Sequence, residues 1–227
     1  MVFEVIFIIE LLFLFFTSKI VHASIFRTAY RFTNSKGISI TILSLIFFPG
    51  VLIHELSHLL MAGILFVPVG DMELVPKVEG ESVTMGSVRV AQTDFIRRFF
   101  IGIAPLLMGG SLLLITIFYF AKDFSFEKIF VPFNIGVYIL FLYVIFVVVN
   151  TMFSSKKDME GTVELLVVLL IISVGAFFAA GAFLSQVLSQ FLLSPRVVSI
   201  AYTADLLLLL PVGINLVFLL VSLLKRR

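Results

Sequence analysis

Apolar residues fall along this chain in blocks too long for a water-soluble element, and short polar stretches divide them. A helix that crosses a bilayer needs about 20 mostly apolar residues. Six blocks reach that length: 2–21, 38–67, 99–121, 133–153, 162–193 and 206–224. The first carries Glu4 and Glu10. The fifth is long enough to tilt or bend near Gly175 and Gly181, and Pro211 marks a kink in the sixth. The one sizeable polar connection, 68–98, has another rhythm. Turn formers at Val69-Gly70-Asp71, Val75-Pro76-Lys77 and Glu79-Gly80-Glu81 precede a run from Ser82 to Val90 that alternates about Gly86. Such alternation predicts a short β-hairpin, and its polarity puts it at the membrane surface. The pattern predicts an all-α integral membrane protein: one membrane domain over 1–227, with about six transmembrane helices and a short β-hairpin between the second and third.

Composition narrows the class further. Apolar residues make up 61% of the 227 and charged ones 13%, against about 45–50% and about 25% in ordinary soluble domains. Mean hydropathy is +1.21. These values exclude a soluble globule and a disordered chain. A net charge of +2 implies no nucleic-acid surface. Phe is abundant at 27 and Trp absent, so Phe and Tyr take the interfacial positions. With no Cys there are no disulfides and no thiolate ligands, which leaves His and carboxylates to hold any metal.

The first block lacks a basic leader, and Val21-His22-Ala23 is only weakly like a cleavage site, so it reads as a retained helix. With both termini on one side, nine Lys and Arg fall there and seven opposite. That difference leans toward both termini, and the 68–98 face, being cytoplasmic in a cell membrane.

The second block contains His54-Glu55-Leu56-Ser57-His58, an H-E-x-x-H inside a spanning helix. Residues four apart share a helix face, so both imidazoles can reach one metal ion, and Glu55 falls beside it. Zinc would lower the pKa of a bound water toward about 7. Glu55 could then take the water's proton and pass it to a leaving amine. Two of the chain's three His residues flank this Glu. Ionisable groups at the middle of a spanning helix cost about 2.5–3.5 kcal/mol each on insertion scales. Packing alone is a poor reason to keep three in five positions.

A catalytic zinc takes three protein ligands. His22 is a poor third, because it falls near the first loop at the opposite end. The fourth block ends Val149-Asn150-Thr151-Met152-Phe153 and leads to Asp158 and Glu160. The second and fourth blocks run in one direction, so Asp158 comes to the motif's face. Asp158 is the first choice, with Glu160 and Glu164 as alternatives; the bland account has Asp158 neutralising Lys156 and Lys157.

A membrane-embedded H-E-x-x-H followed by an Asn eight residues before an Asp resembles the site-2 protease family of intramembrane zinc metalloproteases. The family's second motif is N-x-x-P-x-x-x-x-D-G. Here Asn150 and Asp158 keep the spacing, while Phe153 stands for the Pro and Met159 for the Gly. The family's middle helix often carries A-G-P-x-x-N, and this chain has Ala104-Pro105-Leu106-Leu107-Met108. The likeness covers 38–161 as a catalytic core and leaves 162–227 as two additional helices.

The resemblance implies a metalloprotease that uses Zn2+ to cut the transmembrane segment of another protein within or near the lipid bilayer. It implies His54, His58 and Asp158 as ligands, Glu55 as the base and Asn150 as a substrate-binding residue, against a plain interhelical hydrogen bond for Asn150. A helix must unwind before its carbonyls can be attacked, and the 82–91 hairpin offers an edge to the unwound strand. Asp205 reads as a charge at the start of a helix. Two other classes compete. A zinc transporter of the ZIP type also carries H-E-x-x-H, but adds a following Glu where Leu59 stands and an upstream H-N-x-x-D that this chain lacks. A non-catalytic helix-binding relative would have no need of Glu55.

Overall fold

The computed structural model describes residues 2–79, 82–123, 132–153 and 194–224, together with Asp158 and positions 171, 174, 175, 181 and 190. The order is α1 (Val2–Thr33), α2 (Lys36–Ile64), β1 (Val69–Glu73), β2 (Lys77–Glu79), β3 (Ser82–Thr84), β4 (Ser87–Val90), α3 (Phe95–Asp123), α4 (Pro132–Thr151) and α5 (Pro195–Leu224). Three described stretches are long and apolar enough to cross a membrane: Ile9–Thr33, Lys36–Ile64 and Phe95–Ile117. Two shorter apolar stretches, Ile135–Thr151 and Ala204–Leu220, belong to α4 and α5. The fifth apolar block, 162–193, lies almost wholly outside the described residues. At Gly175, a described position within it, an added Cβ would meet nothing within 4 Å among the described residues.

Helix α1 runs on past its predicted end at Val21, so His22 is helix interior rather than loop. The chain then turns sharply. Asn34 takes a left-handed φ of 49°, which its short polar side chain tolerates. Ser35 caps α2 by accepting a hydrogen bond from the Ile38 N–H.

Contacts along the helices fix their directions. His22 packs on Phe47 while Thr33 reaches Ser39, so α1 and α2 are antiparallel. Tyr143 donates to the Ile46 carbonyl and His54 meets Thr151, so α2 and α4 are parallel. Asn150 bonds Asn215 and Phe146 packs on Phe218, so α5 opposes α4. Phe15 packs on Phe153, and Val21 and Val147 share a core, so α4 also opposes α1. The last helix therefore runs parallel to the first. Six simple crossings would make it antiparallel. The start of α5 consequently lies at the motif's end of the bundle, and its other end points away. The nine-to-seven charge balance rested on both termini sharing a side, and it no longer carries an orientation. Asp205 is corrected as well: it lies inside α5, buried at 7% exposure, and not at the helix start.

The β segment departs from expectation in its pairing. β3 and β4 do not pair with each other. β2 pairs with β3 and β1 with β4, all antiparallel. Alternation made Gly86 look like a hairpin turn, yet the pair that closes the β2–β3 ladder is Glu79 with Ser82. Nor does the segment stay near the end of α2. Leu74, Val75 and Pro76 line a cavity of about 470 Å³ with Gly37, Ile40, Ser44 and Phe48. Met85 packs in the cluster around Phe47 and Val51. The segment thus lies along the apolar flank of α2. Extended backbone is tolerated in apolar surroundings where protein covers it, and α2 supplies the cover.

The largest core cluster joins α1, α3, α4 and α5 through Leu14, Leu113, Ile117, Ile145, Val148 and Leu208. A second gathers Val21, Leu43, Phe47, Val51 and Val147 from α1, α2 and α4. Lipid is as apolar as these side chains, so close packing and interhelical hydrogen bonds hold such a bundle more than burial does.

Candidate metal centre

His54 and His58 lie one turn apart in α2, with the imidazole of His58 in the protein interior. Each ring is anchored through Nδ1. His54 Nδ1 is 2.7 Å from the Thr151 carbonyl, and His58 Nδ1 is 2.7 Å from the Ile101 carbonyl. A carbonyl only accepts, so both Nδ1 atoms are the donors, and in neutral imidazoles both Nε2 atoms then present lone pairs. Thr151 ends α4, where the last carbonyls have no helical partner. The end of one helix thereby orients an imidazole of another, the arrangement that outer-shell carbonyls give metal-binding His.

The two Nε2 atoms face each other at 3.2 Å. Asp158 adds its carboxylate, with Oδ2 3.5 Å from His54 Nε2 and Oδ1 3.4 Å from His58 Nε2. The three residues form a group whose ligand atoms all lie within 4.8 Å of one another. Lone pairs and a carboxylate repel one another unless a cation lies among them. A tetrahedral ion about 2.05 Å from each ligand sets ligand separations near 3.3 Å, in line with the observed 3.2, 3.4 and 3.5 Å. The group therefore fits a metal ion. Two imidazoles and a carboxylate suit zinc and other borderline divalent ions alike.

Small residues bring these parts together. A Cβ at Gly50 would collide with Thr151 Oγ1 and lie 2.6 Å from Val147, so glycine lets α2 and α4 touch beside His54. A Cβ at Gly102 would collide with the Asp158 backbone carbonyl, so α3 receives the Asp158 backbone only where α3 has no side chain. Both were visible in the sequence as glycines inside spanning blocks, a sign of close approach.

Glu55 is buried at 6% exposure, one residue along from His54 and outside the three-ligand group. Gly86 comes close to it: a Cβ there would lie 2.8 Å from Glu55 Oε1 and 2.7 Å from Val51. Asn150 lies elsewhere. Its side chain is 3% exposed, donates to the Phe146 carbonyl, and exchanges hydrogen bonds with Asn215. Asn215, fully buried, also donates to Thr17. The substrate-binding expectation for Asn150 thus meets an interhelical hydrogen bond in this structure. Asn215 was overlooked, although an amide within an apolar block is itself a signal. His22 rests edge-on against Phe47, away from the ligand group. Glu160 and Glu164, the alternative third ligands, lie outside the described residues.

No protein-family model matches the chain, and neither a curated protein nor a solved structure matches it. The functional reading therefore rests on the residues themselves.

Proposed function

We propose that this protein is an intramembrane metalloprotease resembling the site-2 protease family, acting on the transmembrane segments of other proteins. One observation carries the reading: the His54–His58 pair on α2 and the sequence-distant Asp158 bring their potential ligand atoms within 4.8 Å of one another. All five described helices are read as crossing the membrane, α4 and α5 at the short limit of the required length.

His54, His58 and Asp158 would hold the ion, with Zn2+ the proposed species, and the ion would supply Lewis acidity and acidify a water. Glu55 is the residue that takes and returns a proton, its carboxylate fixed by burial in α2. Thr151 and Ile101 hold the imidazoles in one tautomer. β1–β4 and β2–β3 are two-stranded, so their outer edges suit an extended substrate strand, whose backbone bonds would offset those lost on unwinding.

The test pairs metal analysis with cleavage. Detergent-purified wild type should retain about one zinc per chain. Glu55→Gln should keep that zinc and lose cleavage of a membrane substrate by about 10²–10⁴-fold, the usual contribution of an acid–base residue. Wild-type cleavage by Glu55→Gln would end the protease mechanism. Zinc flux across vesicles without cleavage would favour a transporter.

A further inference from the structure

The spanning helix α3 contains a fully buried proline, Pro105. Proline has no N–H, and its ring pushes away the carbonyl four residues earlier. That carbonyl belongs to Ile101, which accepts the hydrogen bond from His58 Nδ1 at 2.7 Å. An unsatisfied carbonyl inside an apolar bundle costs several kcal/mol. Here the donor comes from a different helix.

We infer that Pro105 is a positioning residue for the metal centre: by removing the helical partner of the Ile101 carbonyl, it frees that oxygen to fix the tautomer and angle of His58. The inference rests on the metal-centre reading. It concerns a residue that touches neither ion nor substrate. The two imidazoles are held by the two ways a helix can release a carbonyl. His54 uses a helix end at Thr151, and His58 uses an interior proline. An alanine at 105 would restore an amide aimed along the helix at Ile101 and remove the ring that holds the carbonyl aside. The Ile101 oxygen would turn back into its own helix, and His58 Nε2 would no longer be held toward Asp158.

Two measurements on the full chain in detergent test this. The first is the ¹⁵N spectrum of metal-free, histidine-labelled protein, with the His58 signal identified by its loss in His58→Gln. The second is a Co²⁺ titration followed by visible absorption. Wild type should show His58 with its proton on Nδ1. Pro105→Ala should mix or reverse that tautomer and bind Co²⁺ about 10–100-fold more weakly, the usual penalty for losing an outer-shell partner. Pro211→Ala, which removes the buried proline of α5, should change neither. Wild-type affinity and tautomer in Pro105→Ala would overturn the inference. So would a wild-type His58 protonated on Nε2, which decides the matter even if Pro105→Ala does not fold. A wild type that binds no Co²⁺ yet keeps Nδ1–H, with the tautomer lost in Pro105→Ala, would overturn the metal centre while supporting the carbonyl lock.

Discussion

Two buried polar groups lie on either side of the end of α4, and their chemistry is opposite. On one side Thr17, Asn150 and Asn215 tie α1, α4 and α5. Asn150 donates to Asn215 at 3.0 Å, Asn215 returns a bond at 3.3 Å, and Asn215 donates to Thr17 at 3.1 Å. Donors and acceptors alternate, and the group satisfies itself. On the other side His54, His58 and Asp158 turn only acceptors toward one another, their donors spent on the Thr151 and Ile101 carbonyls. Neighbouring residues serve both sides, Asn150 through its amide and Thr151 through its carbonyl. A closed polar group inside a bundle holds helices together. Two imidazoles and a carboxylate at these separations instead make a group that fits a cation.

The contrast can be broken most forcefully at Asp158. Asp158→Ala should weaken metal binding by more than about 100-fold, beyond the range for outer-shell partners, while leaving the fold intact. Competition against a chelator of known affinity measures it, and unchanged affinity would move the third ligand elsewhere. Gly102→Ala should act on the same site from a distance. Its methyl collides with the Asp158 carbonyl, so metal affinity should fall about tenfold, in the outer-shell range. Asn215→Leu should do the reverse. It removes the self-satisfied group and should cost about 1 kcal/mol of stability, seen as a lower Tm in detergent, with metal affinity unchanged. A large loss of metal binding in that variant would mean the two groups are coupled through α4.

The smallest effect lies outside the bundle. Asp94 caps α3 by accepting a hydrogen bond from the Arg97 N–H at 3.0 Å. That bond, assisted by the Arg97 charge, holds the Asp94 carboxyl below its ordinary range. A carboxyl lowered in the folded state stabilises it above the unfolded pKa, and loses that contribution as pH falls through the folded value. Asp94→Ala should therefore lower Tm slightly at pH 7, and the gap should close in acid below the usual carboxylate range. A gap independent of pH would show that the cap does not act through its charge.

The convergence of His54, His58 and Asp158 was legible because helical spacing and a shared chain direction are one-dimensional facts. His54 and His58 follow from a period, and Asp158 follows from counting crossings. Strand pairing was not, because alternation around Gly86 fits a turn there equally well. What separates the two is the contact between Gly86 and Glu55, which no local pattern contains. The packing of the β segment on α2 was hidden for a related reason. Polarity predicts water as the neighbour, whereas here α2 is the neighbour. The direction of α5 was hidden because counting apolar blocks assumes that each crosses once. The partner of Asn150 was hidden with it, since Asn215 reaches that amide only when α5 runs parallel to α1.

Helix α2 has 29 residues, which at 1.5 Å each is about 43 Å of helix, against a hydrocarbon layer of about 30 Å. A helix that overshoots its bilayer tilts or slides to match it. His54 and His58 ride on that helix, so their depth below the lipid headgroups follows the lipid itself. Under the proposed function, acyl-chain length then becomes a control variable for the centre, setting how far water would travel inward to reach Glu55.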